Sequence, residues 1–274
     1  MVSASLSRLP PLLSTSLVSI AVLLSGSVAK ATPKPLPFSY GVDTNPKGQG
    51  EVEQYVDLVP VLAYDPNGKQ VQYLATQLQT EVEYGLTNRV ELGLYVTLTP
   101  QAAGYSVPTL IEGNGSKQRV RWRLADQGDW PIDVALYGEL TENNNELELE
   151  AKVILERRFG HLRLLANAWV EYEFYFNGQR EFVLNPTAGF TYQVSPHFSP
   201  GVEYWMRAEL GPNFGHSFNA GPHHYVGPTM RFVFGNFFWT TGLYMRASNI
   251  GYALTAGVDA YGPVWFRSLV GFSF

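Results

Sequence analysis

From about residue 51 to the end of the chain, apolar and polar residues alternate in segments of roughly ten, and a turn rich in Gly, Pro, Asn or Asp closes each segment. Side chains two positions apart on a strand share a face, so each segment has an apolar side and a polar side. Val90, Leu92, Leu94, Val96 and Leu98 make one apolar face. Leu147, Leu149, Ala151, Val153 and Leu155 make another, with Glu148, Glu150, Lys152 and Glu156 opposite. Leu162, Leu164, Ala166, Ala168, Val170 and Tyr172 make a third, opposed by Arg163, Asn167, Glu171 and Glu173. No stretch carries a 3.6-residue period, so the chain is all-β. The segments are 51–64, 70–84, 89–98, 117–125, 132–141, 146–156, 161–175, 181–194, 201–210, 225–234, 237–247 and 262–274. They predict about twelve strands, with ten and fourteen as the neighbouring even counts.

Alternation alone fits a soluble sandwich as well as a membrane barrel. Composition separates them. About twelve strands with five apolar residues each present some sixty bulky side chains, far more than one barrel interior holds. Charged residues are 16% of the chain against roughly 25% in soluble domains, while aromatics reach 14%. Aromatics also end many apolar faces, at Tyr84, Tyr172, Phe174, Phe190, Tyr192, Trp239 and Phe272, as interfacial girdles do. The expectation is an antiparallel transmembrane β-barrel with its apolar face in lipid and its polar face toward the axis. Mean hydropathy of −0.08 excludes a bundle of membrane helices.

The first thirty-one residues read as an export signal. Arg8 precedes an apolar run from Leu12 to Leu24, and Ala29-Lys30-Ala31 supplies a small-x-small cleavage pattern. The run is too short and too serine-rich for a membrane anchor. Residues 32–49 are Pro- and Gly-rich and read as an extended lead-in, leaving 50–274 as a single barrel domain. The chain has no cysteine, so an exported fold of this kind has no disulfide to brace it.

Connections alternate in length. Those at 85–88, 125–131, 157–161, 195–200 and 235–236 are short, and the long ones fall at 99–116, 211–224 and 248–261. Connections near Asn67, Asn143 and Asn177 are also brief, but nearly all the short turns share one end, expected to be periplasmic together with both termini. The last strand places Val270, Phe272 and Phe274 on one face. A terminal aromatic with apolar residues two and four places earlier resembles the signature by which barrel-assembly machinery recognises bacterial outer-membrane proteins. Asn45-Pro46-Lys47-Gly48 with Glu51-Val52-Glu53-Gln54, the run from Glu81 to Leu94, and Gly227-Pro228-Thr229 resemble outer-membrane transporter-like barrel families, including the phenol-degradation MetA-like group. That resemblance implies a channel or transporter of small, often apolar, molecules.

The polar face carries the candidate selectivity groups. Arg119, Arg121 and Arg123 occupy alternate positions of one strand, about 7 Å apart, and form a basic ladder. Such a ladder either draws anions through a pore or braces the wall against carboxylates, for which Glu91, Asp133 and Glu139 are expected partners. Glu148, Glu150, Glu171 and Glu173 add acidic positions, and Arg207, Arg231, Arg246 and Arg267 place single cations on later strands.

Catalytic patterns are weak. His216 and Ser217 are adjacent, so an extended strand sends them to opposite faces, unlike a His and nucleophile two residues apart. His223-His224 diverge for the same reason and have no metal-ligand spacing. No enzyme, cofactor or metal is expected. The acidic balance, net −5, excludes nucleic acid. The expected partners are outer-membrane lipid, the assembly machinery and a small solute whose identity the residues do not give. The functional expectation is passive passage of small molecules, with a non-conducting structural or partner-binding barrel as alternative and a lipid-modifying enzyme as a distant third.

Overall fold

The computed structural model describes residues 33–107, 114–210, 218–247 and 261–274. It is all-β: thirteen strands in one sheet, each hydrogen-bonded to neighbours on both sides. In chain order they are β1 (Gly50–Tyr64), β2 (Gln70–Gly85), β3 (Val90–Leu98), β4 (Gly115–Arg123), β5 (Asp133–Asn143), β6 (Glu146–Phe159), β7 (Leu162–Tyr175), β8 (Arg180–Leu184), β9 (Thr187–Tyr192), β10 (Phe198–Leu210), β11 (Phe218–Phe234), β12 (Phe237–Arg246) and β13 (Val264–Ser273). All pairings are antiparallel. The first and last strands close the ring, from Glu51 opposite Ser273 to Leu58 opposite Phe266. A closed sheet leaves no open edge of unpaired N–H and C=O groups, which hydrocarbon does not tolerate.

The barrel has twelve staves. β8 and β9 are two pieces of one stave, because both pair with β7 on one side and β10 on the other. The sequence pattern over 181–194 reads as one continuous strand, but Pro186 has no N–H to donate and breaks the ladder. Across the break, the Asn185 N–H still reaches the Trp169 carbonyl at 3.0 Å and the Met206 N–H reaches the Pro186 carbonyl at 3.1 Å. The other difference is at β11. The pattern places 211–224 in a loop, whereas the strand already begins at Phe218, with His223 opposite Arg207 and His224 opposite Met206. Two adjacent histidines obscure the alternation there. His216 and Ser217 lie outside the described residues.

The two faces sort as the period requires. On β3, Leu92, Leu94, Val96 and Leu98 are 40–60% exposed on the outer surface. Glu91, Tyr95 and Thr97 are buried on the inner one. Tyr84, Phe190, Tyr192, Trp239 and Phe272 are exposed near strand ends, in keeping with an interfacial girdle. Val270 and Phe272 share the outer face of β13, opposite Trp239 and Phe237. Gly50, Gly85 and Phe274 mark one end of the barrel, where the Gly50 and Phe274 backbones exchange hydrogen bonds of 2.8 and 3.0 Å. The same end carries tight turns such as Gly235-Asn236, where φ of 61° at Gly235 takes the left-handed conformation favoured by glycine.

The outer face predicts the effect of a misplaced charge. Leu94→Arg, in the middle of β3, should destabilise the barrel in lipid vesicles by about 2–4 kcal/mol. Urea titration followed by tryptophan fluorescence measures it; an unchanged midpoint would place that face away from hydrocarbon.

Candidate functional site: a lumen closed by the N-terminal segment

The inner face is ionic and largely buried. Arg119 sits at the centre of one cluster. Its Nε donates to Glu81 at 2.7 Å and to the Tyr95 hydroxyl at 3.1 Å, its Nη1 to Glu91 at 2.7 Å, and its Nη2 to Glu83. Arg121 donates to Glu91 at 2.6 Å. Space for this convergence comes from Gly93, where a Cβ would stand 2.6 Å from Arg119 Nε and 2.7 Å from Glu81. The third member of the ladder, Arg123, lies at the turn end and donates to the Asn88 carbonyl at 2.8 Å and to Asp126 at 3.4 Å. In the same region the exposed Arg89 guanidinium hydrogen-bonds Asp126 and holds its carboxyl below the ordinary carboxylate range.

Of the three carboxylates expected to meet the ladder, Glu91 does. The other two are corrected by the structure. Glu139 lies opposite Arg119 in register, yet its carboxylate accepts from Lys117 at 3.0 Å and from Tyr137. Asp133 accepts from the Gly128 N–H at 2.7 Å in the turn before β5. Glu81 and Glu83 on β2 take their places, because β2 and β4 both flank β3.

The remaining candidates form a second band. Arg207 donates to Glu171 at 2.5 Å and Glu173 at 2.9 Å. Glu148 faces Glu173, and Glu150 faces Glu171, across β6 and β7, with Lys152 paired to Glu150. Arg267 makes a bidentate pair with Asp57, 2.7 Å for each bond. Arg246 reaches the Tyr261 carbonyl at 3.1 Å and His223. Arg231 donates to the Ser199 hydroxyl at 3.0 Å.

The lead-in is part of this lumen. Residues 33–49 enter it at the turn end, reverse near Phe38 and Ser39, and leave at the same end to begin β1. On the way in, Lys34 bridges Glu53 at 2.8 Å and Glu81 at 3.1 Å, and the Lys34 carbonyl accepts from Thr240. At the reversal the Glu203 carboxylate accepts the N–H groups of Phe38 and Ser39, the latter at 2.5 Å. Asn167 accepts from the Tyr40 N–H at 2.7 Å and donates to its carbonyl at 3.0 Å. Glu156 accepts from the Val42 N–H at 3.0 Å, and Glu91 from the Asn45 N–H at 2.6 Å. Wall carboxylates thus do for this backbone what a neighbouring strand does elsewhere, each accepting several donors.

Packing completes the closure. The Phe38 ring stacks on Trp205 with centroids 4.7 Å apart, and the Arg267 guanidinium lies over it at 3.9 Å. Trp205 stacks in turn on Tyr225 at 4.3 Å, and Tyr244 and Trp265 enclose the group edge-on. These inward aromatics are a feature that a purely polar lumen does not anticipate. Near the middle, the space between Tyr40, Tyr95, Tyr137, Lys152 and Trp169 is a cavity of about 30 Å³, enough for about two waters. At the turn end a larger hollow of about 420 Å³ lies between the N-terminal segment and the wall.

No protein-family model matches the chain. No curated protein matches it either. Among solved structures, the NanC porin superposes with a TM-score of 0.53 at 10% identity, covering 79% of this chain and 98% of that one. The likeness is one of fold. The KdgM porin superposes at 0.49 with 9% identity, over 81% of this chain and 99% of its own. What the chain shares with the NanC porin is the barrel fold.

The Arg119 cluster predicts a large stability effect. Arg119→Met removes the guanidinium that meets Glu81, Glu83 and Glu91 together, leaving Lys34 and Arg121 to share those buried carboxylates, and should cost about 3–5 kcal/mol. Arg123→Met, at the rim, should cost less than about 1 kcal/mol. Urea titrations of the two variants in detergent micelles measure the difference; equal losses would remove Arg119 from its central position.

Proposed function

We propose that the protein is an outer-membrane channel for small molecules, held shut by residues 33–49 until that segment is displaced. One observation carries the reading: the lumen is lined with ionic groups, yet a stretch of the chain's own backbone fills it through side-chain contacts rather than through the strand ladder. A barrel needed only as a scaffold closes more cheaply with apolar side chains, because each buried carboxylate costs desolvation. A polar wall with a separable insert suits a conduit that opens. Export by cleavage after Ala31, a place in the outer membrane, and assembly through the Val270, Phe272 and Phe274 signature belong to the same proposal. So does the finer resemblance to the MetA-like group. In the open state, Arg119, Arg121 and Arg207, together with the glutamates they hold, would line the path.

The lumen as it stands favours a second reading, a barrel permanently closed by its own contents, since the central cavity admits little beyond water. Single-channel recording in planar bilayers separates the two. The unmodified protein should be silent or open rarely. A variant lacking residues 33–44, shown to be folded by heat-modifiable migration on gels, should conduct steadily. Lys34→Gln combined with Phe38→Ser, which keeps the full length, should raise the opening frequency. No current from the folded deletion variant would reject the channel.

A further inference from the structure

The hollow at the turn end of the lumen is rich in cationic side chains. It is lined by Arg158, Arg163 and Arg231, with His161, and Asp43 is the acidic residue among its lining groups. Two of the three arginines are neutralised. Arg158 reaches Asp43 at 2.6 Å and Glu156 at 2.5 Å, and Arg163 reaches the same two carboxylates at 2.9 and 2.7 Å. Two cations and two anions balance there. Arg231 is the surplus. Among the described residues its one hydrogen bond goes to the uncharged Ser199 hydroxyl, its Nε is buried with no partner, and no carboxylate there lies within ion-pair distance.

A half-buried guanidinium without a counter-charge is costly unless something supplies one, and its planar fork matches an oxyanion in two parallel hydrogen bonds. We infer that this vestibule binds a small water-soluble oxyanion, a carboxylate or a phosphate, on Arg231. Its volume of about 420 Å³ suits a small-molecule site rather than a single ion. Thr191 and Gln193 add neutral polar groups to its lining. The hollow lies inside the wall, bounded by Asp43 and Pro46 of the N-terminal segment, so the ligand is a free solute and not a lipid headgroup. The site exists in the closed barrel and does not depend on conduction.

Isothermal titration calorimetry of the full mature chain in nonionic detergent tests it, with inorganic phosphate and acetate as probes and chloride at matched ionic strength as background. Saturable binding of at least one oxyanion is expected. Arg231→Gln should weaken it by about tenfold or more, while Arg89→Gln, an exposed arginine at the same end, should leave it unchanged. Should Arg231→Gln not fold, Arg231→Lys carries the test. It keeps the charge but loses the fork, so binding should fall severalfold. No saturable binding of either probe by the unmodified protein overturns the inference, as does unchanged affinity in the Arg231 variants.

Discussion

A chain that crosses hydrocarbon must pair every backbone N–H and C=O within itself, and a closed sheet of strands is one of two ways to do so. The rest of this structure follows from that constraint. Closure joins β1 to β13, so residues at opposite ends of the sequence become neighbours. The period of two then sends every second side chain toward lipid and the others toward the axis. Because the outer set is Leu, Val, Phe and Trp, nearly all the ionic groups of the strands crowd into the interior. The lumen is where the protein must settle its charges.

It does so with more carboxylates than strand cations meet. Glu53, Glu81, Glu83, Glu91, Glu156 and Glu203 all have oxygens to satisfy, and Arg119, Arg121 and Arg163 supply only part of the need. The N-terminal segment supplies further donors through the Lys34 ammonium and the N–H groups of Phe38, Ser39, Val42 and Asn45. The acidity of the wall and the presence of the insert are thus two sides of one arrangement. Glycine makes room for it. A Cβ on Gly189 would stand 2.7 Å from Leu36, and one on Gly85 would meet the carbonyls of Asn45 and Pro46. The turn at Gly85-Leu86-Thr87-Asn88, readable as a register device, is also a seat for the limb that leaves the lumen toward β1.

Much of the barrel was legible in the residues because strand parity is a local property. Leu147 to Leu155 and Leu162 to Tyr172 gave the outer face, and the inward positions of Arg207, Arg246 and Arg267 followed from the same parity. Partner choice was less legible. Glu139 faces Arg119 across the ladder but turns to Lys117, since side-chain reach and competition, not register alone, decide a salt bridge. The break at Pro186 is signalled by the residue itself, but the strong alternation on either side masks it. The insert was hidden most deeply. Its prolines suppress any strand signal, although Leu36, Phe38, Tyr40 and Val42 alternate and hint at a face to be buried. The inward aromatics Trp205, Tyr225 and Trp265 carry no separate signal in the residues, because girdles at the membrane surface already account for residues of that kind.

The insert reverses direction at Phe38 and goes out through the mouth by which it came. Such a loop crosses no strand and threads nothing, so the cylinder can form first and receive it afterwards. By the same topology, traction applied from the turn side extracts it without unpairing a single rung of the wall.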